Sequence, residues 1–259
     1  MSAEFEHGNP SPEARAARAA LLRADFAARG DALADAARRV REQTDSEAIH
    51  DLRVASRRLA EGLGLWRALL DPDAVQSARR SLRRLRRRIG PTREREVHRE
   101  QIEARLPEQD PAVRLAAESV VRRLARRIER GRRRSARAAR EGRIERLLGR
   151  LDGATATLES RMLALPEPNH AARARAGARR EAAVLALDRS RGVEDDAVLH
   201  GVRIAVKKAR YAEECLSVVD SDRGGARADH LRKLQQVLGT VHDRAVLAAW
   251  LARIARRWT

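Results

Sequence analysis

The stretch DSEAIHDLRVASRR (45–58) returns 150 positions later as DDAVLHGVRIAVKK (195–208). A second stretch, LRRLRRRIGPTREREV (82–97), returns as LRKLQQVLGTVHDRAV (231–246). This self-similarity indicates that a helical unit is duplicated within the chain. The basic positions that match between the copies are His50 with His200, Arg53 with Arg203, Arg57 with Lys207 and Arg58 with Lys208.

Composition predicts that both copies are helical. Leu, Ala, Arg and Glu dominate, whereas aromatic residues make up 2% of the chain, so helix propensity exceeds strand propensity nearly everywhere. We expect an all-α fold of two packed helical bundles related by a pseudo-two-fold axis, by analogy with isologous dimers. The helices are expected to break at Asp71-Pro72-Asp73, Gly90-Pro91, Pro107–Pro111, Pro166–Pro168, Asp220–Gly225 and Gly239.

Three of the boundaries have a clear chemical basis. Thr44-Asp45-Ser46-Glu47 has the form of a capping box at a helix start. Asp73 can cap the next helix, and Gly90 followed by Pro91 is typical of a C-cap and a stop. A helix over 74–89 is therefore predicted.

The length of 259 residues accommodates one large duplicated domain. Residues 1–12 hold Gly, Asn and two prolines with little to bury, and we expect them to form a disordered tail. The first repeat is then expected over about 13–140 and the second over about 141–258. No stretch resembles a signal peptide or a membrane span, so cytoplasmic localisation without a membrane partner is expected. Cys215 is the only cysteine, which excludes an intramolecular disulfide.

The charge indicates a polyanionic partner. The chain carries 55 Lys and Arg against 37 Asp and Glu, a formal net charge of +18, and such an excess repels itself unless an anion is bound. The alternative is that the arginines form solvated helix faces. We interpret the basic cluster over 122–140 mostly as a solvated or secondary electrostatic face.

The first repeat places a cationic stripe on one helix face. At about 100° per residue, His50, Arg53 and Arg57 lie within roughly 60° of one another. His200, Arg203 and Lys207 form the matching stripe in the second repeat. The predicted core faces opposite them hold Leu52, Ala55, Leu59 and Trp66 in the first repeat, and Val202, Ala205, Ala209 and Leu216 in the second. Cations stacked at one-turn intervals suit a linear phosphate chain.

The predicted helix over 74–89 strengthens this interpretation. Its apolar stripe holds Leu82, Leu85 and Ile89, while seven arginines cover the rest of its surface. Arg232 and Lys233 are the weaker counterpart in the second repeat. The arginines of this helix that we predict to contact a polyanion are Arg80, Arg83, Arg84 and Arg87.

Four blocks resemble the conserved-histidine alpha-helical domain family, abbreviated CHAD. They are IHDLRVASRRL (49–59), LHGVRIAVKKARYAEE (199–214) and the two stretches at 82–97 and 231–246, and the resemblance spans about 13–257. It implies two four-helix bundles around a central basic pore that binds inorganic polyphosphate, without a cofactor or metal. No stretch resembles the triphosphate tunnel domain of some relatives, so a stand-alone domain is expected.

The resemblance also implies which residues bind the ligand. Ala60 stands where the second repeat has Arg210, so the two repeats are expected to contact it unequally. A granule of polyphosphate is an expected location. The matched positions are His50, Arg53, Arg57, Arg58, His200, Arg203, Lys207, Lys208 and Arg210, with Arg83, Arg84, Arg93, Arg232 and Lys233 alongside.

Three alternatives stay open at this point. A basic helical face also binds nucleic-acid backbones weakly and non-specifically, although six aromatic residues leave few platforms for base stacking. His50-Asp51 and His242-Asp243 have the dipeptide of certain metal phosphohydrolases, which is weak evidence without a wider ligand set. The chain could also be an assembly protein whose charge keeps it in solution, and the oligomeric state stays open.

A protonated imidazole is disfavoured among cations and favoured beside a bound polyanion. We therefore predict that affinity for the polyanion rises modestly when the pH falls from 8 to 6.

Overall fold

The computed structural model describes residues 11–42, 47–193, 195–220, 225–239, 248 and 250. Within these ranges the chain is helical and holds no β-strand, which confirms the all-α prediction there. Helical backbone also covers 225–239. The bounded helices are α1 (Pro12–Glu42), α2 (Ala48–Leu65), α3 (Pro72–Glu103), α4 (Pro111–Ala138), α5 (Glu141–Thr155), α6 (Leu158–Ala164), α7 (His170–Arg189) and α8 (Asp196–Leu216), with a 3₁₀ helix at Leu106–Glu108.

Aspartate caps begin several of these helices. The carboxylate of Asp71 accepts a hydrogen bond from the Ala74 N–H at 2.8 Å, so Asp71 caps α3. Asp110 and Asp195 cap α4 and α8 in the same way. Each such cap contributes about 1 kcal/mol. The prediction that Asp73 caps this helix is wrong by two residues, since Asp73 lies in the first turn, where its charge complements the helix dipole.

The predicted helix end at Gly90-Pro91 is wrong, because α3 continues through both residues to Glu103. Pro91 has no N–H to donate to the Arg87 carbonyl, so the helix loses one hydrogen bond there. Packing against α2, α4 and α5 offsets that loss. Gly90 provides space for a neighbouring side chain, because a Cβ at this position would lie 2.7 Å from Nη1 of Arg53. The glycine lets the Arg53 guanidinium pass close to α3.

The largest apolar core lies among α1, α2, α3, α5 and α6. Leu22, Leu52, Trp66 and Leu82 are at most 1% exposed within it. A side chain of this kind contributes about 1.5–3 kcal/mol when it is fully buried. Smaller clusters join α3 to α4, and α7 and α8 to the helical segment 225–239. Each helix therefore buries one face and leaves another for charged groups.

The two repeat helices meet in space, since α2 packs against α8 as well as against α3. The pseudo-two-fold axis and the repeat boundary near residue 140 stay predictions. The helix α1 begins at Pro12, so the last residue of the expected tail belongs to that helix. Residues 1–10, and Thr44, Asp45 and Ser46 of the capping box, lie outside the described residues; Glu47 makes no side-chain cap.

No helix in the described ranges has the length and apolar character needed to cross a membrane.

Candidate functional site

A cavity of about 540 Å³ lies where α2, α3 and α8 meet. Both predicted stripes enter it: α2 contributes His50, Arg53 and Arg57, and α8 contributes the matching residues of the second repeat. The third wall is α3. The lining residues are His50, Arg53, Val54, Arg57, Arg86, Arg93, Glu94, Val97, His98, His200, Arg203, Lys207 and Tyr211.

The amphipathic character of α2 and α8 positions these side chains. On α2, Leu52 and Leu59 are at most 1% exposed, and Trp66 just beyond the helix end is equally buried. On α8, Val202 and Ala209 are buried to the same degree, whereas Ala205 is only half-buried. Apolar burial on one face therefore turns the basic face of each helix toward the cavity.

The cavity holds cations that are costly to keep charged. Burial lowers the pKa of Lys207, and repulsion from Arg57, Arg203, Arg210 and Arg53 adds to the decrease, which brings the pKa to about 8. A bound anion would offset both effects.

The same causes act on two arginines of the cavity wall. Burial, followed by repulsion from Arg57, lowers the pKa of Arg86 to about 10. Burial also lowers the pKa of Arg53, where Glu94 acts in the opposite direction while Arg57 and Arg93 add to the decrease. Repulsion from Arg57 therefore lowers the pKa of three neighbouring cations, Arg53, Arg86 and Lys207.

Carboxylates orient one part of the wall. Arg93 Nη1 lies 3.2 Å from Glu100, 3.7 Å from Glu96 and 3.8 Å from Glu47. Glu96 is 5% exposed, and burial raises its pKa although a hydrogen bond from Arg132 lowers it. These three carboxylates therefore fix the position of the Arg93 side chain. Among the described residues, Glu94 is the carboxylate that lines the cavity itself.

Comparison with known proteins shows the family to which the chain belongs. The family model of the CHAD domain matches residues 24–252. The chain belongs to the CHAD domain family. The crystal structure of the CHAD domain from the plant Ricinus communis resembles this CHAD domain with a TM-score of 0.63 at 23% sequence identity, covering 99% of this chain and 86% of the plant chain. At that identity the likeness concerns the fold. No curated protein matches the chain.

Seven of the sixteen predicted ligand-binding residues line the cavity of this CHAD domain: His50, Arg53, Arg57, Arg93, His200, Arg203 and Lys207. The other nine lie elsewhere. Arg80, Arg83, Arg87, Lys208 and Lys233 are exposed and outside the lining, and Arg84 lines a different cleft between α3 and α5. The remaining three are Arg58, Arg210 and Arg232.

These three arginines converge on Glu214, which sequence reasoning left out. Their nitrogens lie 3.8 Å, 3.3 Å and 3.7 Å respectively from the Glu214 carboxylate. Arg210 is 8% exposed and its guanidinium stacks 4.5 Å above the centre of the Tyr211 ring. Arg58, Arg210 and Arg232 therefore form an ion-pair network around Glu214, outside the lining of the cavity.

Arg86 and His98 line the cavity without having been predicted as site residues. A sequence signal for Arg86 existed: Arg86, Gly90, Arg93 and Val97 recur at i, i+4, i+7 and i+11, which is one face of a helix. That signal was hidden by the expected helix end at Gly90. His98 carries no such pattern, and its ring lies 5.0 Å from that of Trp250.

The structure describes one of the two His-Asp pairs, and its two side chains have different surroundings. His50 lines the cavity, whereas Asp51 accepts a hydrogen bond from Arg39 of α1 at 2.7 Å. His242 and Asp243 lie outside the described residues. The described ranges hold no group of three His, Cys, Asp or Glu side chains that could bind a metal ion.

Proposed function

We propose that this CHAD domain binds inorganic polyphosphate, without catalysing its cleavage, in the basic cavity between α2, α3 and α8. The observation that carries the proposal is the lining of that cavity, where five arginines and Lys207 face a single described carboxylate. Phosphate oxygens accept bidentate hydrogen bonds from arginine and offset the mutual repulsion of the cations. Membership of a family associated with polyphosphate supports the same ligand.

The size of the cavity favours a narrow chain over a double helix. A volume of about 540 Å³ is typical of sites for small molecules. An extended chain of phosphates carries one charge after another through such a space, whereas a duplex would need to lie across an open basic surface. The pseudo-symmetric pair of four-helix bundles around this cavity belongs to the same proposal, as does association with polyphosphate granules in the cytoplasm.

Titration of polyphosphates of defined length tests the proposal. Replacing His50, Arg57 and Lys207 together by Ala is expected to lower affinity at least about 100-fold, because each charged hydrogen bond contributes about 1.5–3 kcal/mol. The matched control is Arg122→Ala with Arg126→Ala, which removes two charges from an exposed part of α4. An equal loss in both variants would show that general charge attraction is sufficient.

Two further measurements separate this function from the alternatives. Duplex DNA of equal charge concentration should compete poorly at fixed salt, and equal competition would favour a nucleic-acid partner. Orthophosphate should not be released when the protein is incubated with polyphosphate and a divalent metal. Release that the triple variant lacks would assign an enzymatic function.

A further inference from the structure

Two adjoining clefts lie along α3 outside the cavity described above. One, of about 220 Å³, lies between α3 and α5, and the other, of about 430 Å³, lies between α3 and α4. Arg88 lines both clefts, so they share a wall, and together they make up a groove along α3. We name this groove the outer arginine track; its arginines are Arg84, Arg88, Arg95, Arg127, Arg130, Arg134, Arg143, Arg146 and Arg150.

The track lies on the opposite side of α3 from the central cavity. Arg86 and Arg93 face the cavity, whereas Arg88 and Arg95 face the track. Each pair is seven residues apart, so its members share a face, and the two pairs are offset by two residues, or about 160° around the helix. One helix about 10–12 Å thick therefore separates two basic clefts.

Close packing of α3 against α4 builds the floor of the larger cleft. A Cβ at Gly131 would lie 2.6 Å from Oγ1 of Thr92, and the Thr92 hydroxyl is within 3.3 Å of the Ser135 hydroxyl. These small side chains let the helix backbones approach. The flanking residues Arg127, Arg130 and Arg134, at i, i+3 and i+7 of α4, then stand together on the rim.

The track holds positive charge without local compensation. In the part of the chain that the structure describes, none of its nine guanidinium groups has a carboxylate oxygen within 4 Å, and no carboxylate lines either cleft. The hydrogen-bond partners that these arginines do have are neutral: Arg84 and Arg150 donate to the Ser81 hydroxyl. Some exposed arginines elsewhere do pair with acids, as Arg38 does with Asp35 and Glu42. Unpaired like charges in a groove attract an extended anion.

We propose that the outer arginine track is a second binding site for a phosphate polymer, separate from the central cavity. This choice of ligand rests on the proposed function. A polyphosphate chain long enough to reach from one side of α3 to the other occupies the central cavity and the outer arginine track of one molecule. Binding at the first site then raises the effective concentration of the chain at the second. Short chains occupy the two sites independently, whereas long chains bind much more tightly.

The test compares two triple variants of α4. Arg127→Ala, Arg130→Ala and Arg134→Ala together remove the rim of the track, and all three side chains are exposed, so the fold should persist. The matched control replaces Arg122, Arg126 and Arg133 by Ala on an adjoining face of the same helix, which removes the same charge. Circular dichroism checks that both variants remain helical.

Calorimetry with tripolyphosphate should give two sites for the unmodified protein and the control, and one site for the track variant. Long-chain affinity should fall at least about tenfold in the track variant and no more than about threefold in the control. Identical behaviour of the two variants, in both measurements, would overturn the proposal. So would a track variant that loses only duplex DNA binding, which would assign the groove to nucleic acid.

The central-cavity triple variant keeps the two proposals distinguishable. If only the proposed function fails, that variant binds tripolyphosphate as the unmodified protein does, while the track variant loses a site. If only the track proposal fails, the central-cavity variant loses its single site and the track variant loses none.

Discussion

The two faces of α3 carry the same side chain in two different environments. On the inner face Arg86 is half-buried beside Arg57 and Arg53, and its pKa falls to about 10. On the outer face Arg84 and Arg95 line open clefts without a carboxylate neighbour in the described residues. The number of arginines on a helix therefore does not determine the electrostatic environment of each one. A bound anion would interact more strongly with the half-buried charge of the inner face, whereas salt would screen the exposed charges of the outer face.

The largest effect on the inner face is expected from Arg57→Gln. Affinity for polyphosphate should fall about 10- to 100-fold, because a charged hydrogen bond is lost from a partly buried site. The thermal midpoint without ligand should rise, since Arg57 lowers the pKa of Arg53, Arg86 and Lys207 by repulsion. Calorimetry and thermal denaturation measure the two changes.

Arg126→Gln is the matched control for this substitution, because Arg126 is exposed on α4 outside both clefts. Arg126→Gln should change the affinity for polyphosphate and the thermal midpoint only slightly. A lower midpoint together with weaker binding in Arg57→Gln would instead indicate that Arg57 supports the fold.

A somewhat smaller effect is expected from pH. The folded protein releases the Lys207 proton near pH 8, and the unfolded chain near pH 10.5, so the free energy of unfolding should rise with pH between these values. Polyphosphate favours the charged lysine, so affinity should fall about tenfold from pH 7 to pH 9.5. The rise in affinity expected on acidification from pH 8 to pH 6 has the same sign as this trend.

Lys207→Arg separates the lysine from the other groups, because arginine keeps its charge to a higher pH than lysine does. Its affinity should be nearly flat from pH 7 to pH 9.5 in the same titration. If the variant retains the full decrease, Lys207 is not the group that titrates.

The smallest effect is expected from Gly90→Ala. The added Cβ would lie 2.7 Å from Nη1 of Arg53, and this flexible guanidinium can move aside. Affinity should therefore fall only a few-fold, while stability rises by up to about 1 kcal/mol from the better helix propensity of alanine. Gly177→Ala in α7 is the control, since its Cβ would meet only Nη2 of Arg180 at 3.7 Å. Unchanged binding in Gly90→Ala would show that Arg53 does not depend on this close approach.

The pattern of the sequence was sufficient to predict that the chain is helical and which residues lie on the basic faces of α2 and α8. Leu52 and Val202 are buried where the periodicity places them, and His50 and His200 lie on the opposite faces that line one cavity. The error at Gly90-Pro91 shows the limit of this reasoning. Local propensity predicts a stop, whereas packing of α3 against three other helices carries the helix through the proline.

Composition by itself indicated that the described part of the chain is helical, and the repeat indicated two basic stripes, because helix propensity and side-chain spacing are local properties of the sequence. Only the tertiary structure decided which cations share a cavity. Arg86 entered it, while Arg58, Arg210 and Arg232 joined Glu214. The physical reason is that electrostatic energy depends on distance and burial, and residues far apart in the chain acquire both only when the helices pack.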